Sequence, residues 1–119
     1  MFSEKLLEHF QNPRNVGELT GARAKVEVSN PVCGDVLQLS ANVEEGLVRE
    51  VRFLCRGCTA AIACGSLLTE MMMGKNLREL HTVTAKTVAD GIGGLPEASL
   101  HAALLAEDGV KALLRVVSG

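Results

Sequence analysis

The sequence predicts an α+β domain in which a small three-stranded antiparallel sheet carries helices packed on one face. Three segments in the first half have the alternating, β-branched pattern of strands, whereas apolar residues in the second half recur at helical spacing. A chain of 119 residues, 47% of them apolar, can bury one core without disulfides. Because no linker or internal repeat divides the chain, we expect one domain over residues 1–119.

The first half of the chain contains a short helix followed by the predicted strands. The helix covers residues 2–11, with Ser3 as its capping residue and Asn12-Pro13 at its end. The strands cover residues 24–29, 36–43 and 47–54, and the turn Glu44-Glu45-Gly46 joins the last two. This order predicts three antiparallel strands.

The second half is predicted to be helical. A helix starts at Cys58, buries one face and ends near Gly74, and short helical pieces follow at residues 77–80 and 85–90. The last helix is predicted over about residues 97–117, with His101 on its polar stripe. Its apolar stripe consists of Ala103, Ala106, Val110, Leu113, Leu114 and Val117.

The charge balance and the N-terminus exclude several classes of partner. Lys plus Arg number 12 against 14 Asp plus Glu, so there is no basic excess of the kind that binds nucleic acid. The longest low-charge stretch, residues 58–69, is shorter than the ~18 apolar residues that cross a membrane. The N-terminus lacks an apolar signal sequence, and we therefore expect a cytoplasmic location. In a reducing compartment, the four cysteines indicate metal binding, catalysis or burial rather than disulfides.

Four residues that can ligate a metal lie at three breaks between the predicted elements. The turn at residues 30–35 presents Cys33 and Asp35, although a buried cysteine beside a solvated aspartate is an alternative. Cys58 begins a helix, where the helix dipole and Arg56 are expected to lower the pKa of its thiol. His101 lies near the start of the last helix, where it would otherwise be an ordinary surface histidine. These sulfur, oxygen and nitrogen donors suit iron or zinc.

The remaining cysteines and histidines have weaker signals. Cys55 forms a C-x-x-C pair with Cys58, which leaves a redox pair or a zinc knuckle open, but its alternation with Val51 and Phe53 favours burial in the core. Cys64 lies on the apolar face of its helix and is interpreted as a small core residue. The other two histidines have no partner in the sequence and stay unassigned; they are His9 and His81.

Four motifs occur in an order and spacing that are typical of one known family. They are HFQNPRNVG at residues 9–17, PVCGD at 31–35, GC at 57–58 with AIA at 61–63 and SL at 66–67, and LH at 100–101 with LAED at 105–108. Over nearly its whole length the chain therefore resembles the iron–sulfur cluster assembly scaffold family, which comprises IscU and the N-terminal domain of NifU. The resemblance implies a three-stranded antiparallel sheet with helices on one face.

The resemblance also implies a function for the four candidate ligands. It places Cys33, Asp35, Cys58 and His101 at one end of the molecule, where the family assembles a [2Fe–2S] cluster from iron and from sulfur supplied by a cysteine desulfurase. Zinc commonly occupies the same site, and finished clusters pass to acceptor apoproteins.

Two positions depart from the family pattern. The family's third cysteine, which accepts sulfur from the desulfurase, follows the histidine directly, and here that position is Ala102. The Leu-Pro-Pro-Val-Lys segment read by a heat-shock-type chaperone is LPEAS at residues 95–99, which argues against that partner.

Three functions follow as hypotheses. The leading one is a non-enzymatic scaffold or carrier that binds iron or a [2Fe–2S] cluster. The first alternative is a zinc-binding relative that regulates a desulfurase without building clusters. The second is a dithiol redox protein that works through Cys55 and Cys58.

Overall fold

The fold is an α+β arrangement of three strands and five α-helices among residues 1–32 and 34–118, the part of the chain that the computed structural model describes. The elements in chain order are α1 (Glu4–Gln11), β1 (Ala24–Ser29), β2 (Val36–Glu44), β3 (Leu47–Arg56), α2 (Thr59–Met72), α3 (Leu77–Leu80), α4 (Ala85–Gly91), a 3₁₀ turn (Glu97–Ser99) and α5 (Leu100–Ser118). The predicted fold class, with helices packed against an antiparallel sheet, is confirmed.

The sheet has the order β1-β2-β3, and its alternating side chains separate an inner face from an outer face. Leu39 of β2 lies between Val26 and Phe53 in the register, on the inner face that the helices cover. At the other end of the same ladder, Val36 pairs with Arg56 on the outer face. This register determines which side chains at the strand ends point toward the helices.

The β2–β3 hairpin contains one irregularity. Its two turn residues, Glu45 and Gly46, both have positive φ, as a tight two-residue turn requires. Asn42 pairs with Glu50 while the next residue, Val43, pairs with Val48, so that one residue of β3 is left over as a bulge. Because of the bulge, apolar side chains point to the inner face both before and after the irregularity.

Helix α2 is buried on almost every side rather than on the single face that its spacing predicts. Helices α1, α4 and α5 and strand β3 all pack around it. Gly65 makes the approach to the sheet possible, because a Cβ there would lie 2.7 Å from the Phe53 ring. Gly109 does the same for α5, where a Cβ would lie 3.0 Å from the side chains of Leu37 and Leu39.

The last helix starts later than predicted. The expected helix over residues 97–117 is a 3₁₀ turn followed by α5, because Pro96 is extended and the Ser99 N–H bonds to its carbonyl oxygen, which tightens the first turn. His101 consequently lies in the first turn of α5. Within the described ranges, no helix combines the length and the apolar character that crossing a membrane requires.

Candidate metal centre

Three of the four predicted ligands come from three different elements. Asp35 directly precedes β2 and, two residues before the inward Leu37, points to the helix side of the sheet. Cys58 is the N-cap of α2, and His101 belongs to the first turn of α5. Packing of α2 and α5 on the same face of the sheet therefore brings the three side chains to one end of the molecule.

The donor atoms of these side chains form a nearly equilateral triangle. Cys58 Sγ lies 3.5 Å from Asp35 Oδ2 and 3.6 Å from His101 Nε2. His101 Nε2 lies 3.5 Å from the same carboxylate oxygen. One sulfur, one oxygen and one nitrogen thus converge on a common point.

This triangle fits the ligand set of a tetrahedral metal ion. Zinc bond lengths of about 2.3 Å to sulfur and about 2.0 Å to nitrogen or oxygen require donors about 3.3–3.6 Å apart. The observed separations of 3.5, 3.6 and 3.5 Å match that requirement. A fourth ligand would complete the set; the predicted fourth ligand, Cys33, lies outside the described residues.

The centre is open to solvent on one side. Asp35 is 6% exposed, so its carboxylate is held inside the structure. The His101 side chain is 28% exposed and Cys58 is also exposed. An ion or a partner protein can therefore reach the donors without any rearrangement of the core.

The predicted lowering of the Cys58 pKa is wrong, because surrounding groups raise it. Partial desolvation of the sulfur is the main cause, and the thiol additionally donates to the negative Asp35. The N–H groups of Ala61 and Ala60 act in the opposite direction, but the sulfur makes no capping hydrogen bond to them. Arg56 does not help, since it lies on the outer face of the sheet, across from Val36. A metal must displace the thiol proton to bind here.

The other two described cysteines lie outside the triangle. Cys55 is half-buried on the inner face with Phe53, and burial raises its pKa to about 11. Cys64 is fully buried in α2, with its pKa raised to about 12 for the same reason. The predicted core position is confirmed for Cys64, whereas Cys55 packs against the core but is only half-buried. The dithiol alternative is disfavoured because the Cys55 thiol is half-covered and strongly protonated.

Ala102 occupies the buried position beside His101 and is only 1% exposed. Its methyl group cannot donate to a metal or attack sulfur. The protein therefore has no thiol at the position where the family resemblance places one.

A buried polar network that joins α1 to α2 was not predicted. His9 is 2% exposed, with Nδ1 2.7 Å from Ser66 Oγ and Nε2 3.3 Å from Glu70 Oε1. Glu70 Oε1 accepts from the Nε2–H of the neutral ring, which leaves Nδ1 to accept from the Ser66 hydroxyl, while Ser66 Oγ accepts from the Arg14 N–H at 2.9 Å. This fixes the proton of His9 on Nε2, and burial lowers the pKa of the ring. The available signal was the presence of polar Ser66 within the otherwise apolar run at residues 60–68.

Comparison with known proteins gives a consistent set of relatives. The sequence profile described as "NifU-like N terminal domain" matches residues 1–116. The chain is 41% identical over 111 residues to "Iron-sulfur cluster assembly scaffold protein IscU 1" of Archaeoglobus fulgidus, covering 93% of this chain and 72% of that protein. It is 40% identical over 118 residues to the IscU scaffold protein of Azotobacter vinelandii, covering 96% of this chain and 91% of that protein.

A solved structure shares the fold. The crystal structure of the N-terminal part of a NifU-like protein from Brucella abortus superposes with a TM-score of 0.66 at 19% identity, over 98% of this chain and 82% of that one. At that identity the likeness concerns the fold alone.

Proposed function

The chain belongs to the NifU-like N-terminal domain family, and on that basis we propose that it is a non-enzymatic scaffold or carrier for iron–sulfur cluster assembly. Its cargo is iron or a [2Fe–2S] cluster, and zinc binds at the same donors. The ligands are Cys33, Asp35, Cys58 and His101. A cysteine desulfurase supplies the sulfur, and acceptor apoproteins receive the cluster.

The observation that carries this proposal is the triangle of donor atoms, each 3.5 or 3.6 Å from the other two. Three unlike donors from three separate elements reach this spacing, and Asp35 is one of the few polar side chains buried in the described part of the chain. Buried carboxylates are rare unless they are paired or bind a metal. The partners of Asp35 Oδ2 are the Cys58 thiol and His101 Nε2, each at 3.5 Å, and an ion between the three donors would take the place of the thiol proton beside the carboxylate.

Each ligand has a distinct task in the proposed carrier. Cys58 supplies a thiolate at the open rim, where incoming iron or sulfur arrives. His101 binds through Nε2, which requires its proton to be on Nδ1. Asp35 is the hardest donor of the set and binds cluster iron least tenaciously, so it is the ligand that exchanges when the cargo leaves.

The absence of a thiol at Ala102 defines what kind of carrier this is. The set contains two thiolates at most, and the remaining donors are nitrogen and oxygen. A cluster with such mixed ligands is expected to be more labile than a cluster held by more thiolates. We therefore propose a transient carrier, with sulfur accepted by Cys33 or Cys58 rather than by a third cysteine.

Zinc binding is the direct test of the centre. Metal-free protein is titrated with zinc against a chromophoric chelator, and the bound metal is counted. Wild type is expected to bind about one zinc per chain, because a tetrahedral ion needs about four ligands. Cys33→Ser and Cys58→Ser are expected to abolish tight zinc binding. The matched control Cys55→Ser, which removes a thiol outside the triangle, should leave zinc binding unchanged.

Cluster binding is tested separately. Anaerobic reconstitution with iron and a desulfurase-derived sulfur source is expected to produce the visible absorption of a [2Fe–2S] centre in wild type and not in Cys58→Ser. Stoichiometric zinc in both the Cys33 and the Cys58 variants would overturn the ligand assignment. Zinc binding without any cluster under these conditions would favour the alternative of a zinc-binding regulator of a desulfurase.

A further inference from the structure

Gly57 links the end of β3 to Cys58 and lies directly across from Asp35. Val36 pairs with Arg56 in the register, so the next step of the ladder places Asp35 opposite Gly57. Both positions belong to the inner face, two residues from the inward pair Leu37 and Cys55. The glycine therefore faces the carboxylate of the candidate metal centre.

The side chain of Asp35 occupies the space that a side chain at position 57 would need. A Cβ on Gly57 would lie 2.8 Å from Asp35 Cγ, 3.0 Å from Oδ1 and 3.1 Å from Cβ. Ordinary contacts between such atoms are about 3.5–4.0 Å. The nearest atoms include the Cβ and Cγ of a side chain on a strand end, so the clash cannot be relieved by moving a flexible tip.

Backbone conformation does not explain why a glycine is present here. Seven glycines of the described chain have positive φ, and Gly57 is not among them. Any L-residue can adopt its backbone conformation. What distinguishes Gly57 is the contact with Asp35.

The two carboxylate oxygens of Asp35 face different surroundings. Oδ1 lies against Gly57, while Oδ2 is the atom 3.5 Å from both Cys58 Sγ and His101 Nε2. Rotation of the carboxylate away from a new methyl group would therefore withdraw Oδ2 from the other two donors.

We propose that Gly57 is a positioning residue for the metal centre: its missing side chain leaves the space in which Asp35 lies, and this aims Oδ2 at the ion. The proposal rests on the proposed function, since it concerns the same site. Gly57 itself touches no metal and acts only through Asp35.

The test is a double-mutant cycle on zinc affinity with Gly57→Ala and Asp35→Ala. Supporting groups around metal ligands typically contribute about 10–100-fold to affinity, and Gly57→Ala is expected to weaken zinc binding by that factor. The double variant should bind zinc no more weakly than Asp35→Ala alone, because without the carboxylate nothing remains to be misplaced. The visible spectrum of bound cobalt(II) should change in the same way for both single variants, since each loses the oxygen donor.

Gly91→Ala is the matched control. Gly91 also lies outside the positive-φ set, and a Cβ there would lie 3.1 Å from Leu67, away from the metal ligands. Its zinc affinity should equal that of wild type.

A metal-free measurement separates failure of this inference from failure of the proposed function. Asp35→Ala removes the two closest of the three predicted contacts, so it should recover much of the urea midpoint that Gly57→Ala loses. If wild type binds no zinc, the proposed function fails, and this recovery alone decides whether Gly57 holds Asp35 in place. Wild-type affinity in Gly57→Ala, additive losses in the double variant, or no recovery of the midpoint would each overturn the inference.

Discussion

Replacing Ser66 with alanine removes one oxygen atom and deprives two groups of their hydrogen-bond partner. The Ser66 hydroxyl is fully buried, accepts from the Arg14 N–H at 2.9 Å and donates to His9 Nδ1 at 2.7 Å. It thereby ties helix α1 and the segment after it to α2, the helix whose N-cap is the proposed ligand Cys58.

The expected loss of stability follows from these contacts. A buried polar group left without a partner costs about 1–3 kcal/mol. His9 is buried and bears that penalty in full, whereas half-buried Arg14 recovers part of it from water. The better helix propensity of alanine offsets about 0.5 kcal/mol. We therefore expect Ser66→Ala to lower the free energy of unfolding by about 2–3 kcal/mol, or Tm by about 10 °C.

Urea unfolding of the metal-free protein measures this change, and Ser40→Ala is the matched control. Ser40 is equally buried, but in the described structure its side chain makes one hydrogen bond, which Oγ accepts from the Leu19 N–H at 3.0 Å. Its replacement should cost about 1 kcal/mol. The reasoning is refuted if Ser66→Ala is no more destabilising than Ser40→Ala.

Four further predictions concern packing, pH and the metal centre. Gly65→Ala should destabilise the protein by about 1–2 kcal/mol in urea unfolding, because overpacking against Phe53 outweighs the ~1 kcal/mol gain in helix propensity. An unchanged or higher urea midpoint would contradict the close approach of α2 to the sheet. Burial lowers the pKa of His9, so the unfolded chain binds more protons than the folded one. The stabilising effect of the neutral ring is therefore present above pH 6.5, the ordinary pKa of histidine in the unfolded chain, and is lost as the pH falls below it. The stability difference between wild type and His9→Gln should shrink from about pH 7.5 to about pH 5.5, and a constant difference would refute this. Zinc affinity should rise by about tenfold per pH unit for each proton that zinc displaces, because the raised pKa of Cys58 keeps its thiol protonated through neutral pH. Calorimetry in buffers of different ionisation enthalpy counts the protons released. A pH-independent affinity would exclude Cys58 as a ligand. Ala102→Cys should lengthen the lifetime of a reconstituted cluster. It should also accept desulfurase-dependent sulfur, which mass spectrometry detects on the new thiol. Equal sulfur uptake and cluster lifetime in wild type would mean that another cysteine accepts the sulfur.

Local pattern predicted most of the fold because the relevant signals lie within single elements. Strand alternation placed Cys55 on the inner face with Phe53, and the position of Ser3 predicted the cap that its side chain forms with the Leu6 N–H. The start of the last helix required more than periodicity, since Pro96 and a 3₁₀ turn delay the start of α5.

The chemistry of the site depended on contacts between distant residues and was predicted less well. Arg56 and the helix start argued for a low Cys58 pKa, but the strand register sends Arg56 to the opposite face and packing brings Asp35 to the sulfur. The partners His9 and Ser66 are 57 residues apart, which no local pattern spans. Helix–sheet packing also determines that Asp35, Cys58 and His101 meet.

The bulge in the β2–β3 hairpin makes the alignment of the candidate metal centre independent of the geometry of the turn. Pairing from Val36 with Arg56 to Asn42 with Glu50 is continuous, and the unpaired residue lies beyond it, toward the tip. Seven residues of strand, about 24 Å, separate Asp35 from the bulge, and the turn lies beyond it. A deletion of the unpaired Arg49 leaves the paired positions in register, whereas a deletion inside the ladder would turn Asp35 or Cys55 to the wrong face. The tip is therefore the part of the sheet best suited to carry a fluorophore or a tether for following metal loading at the other end.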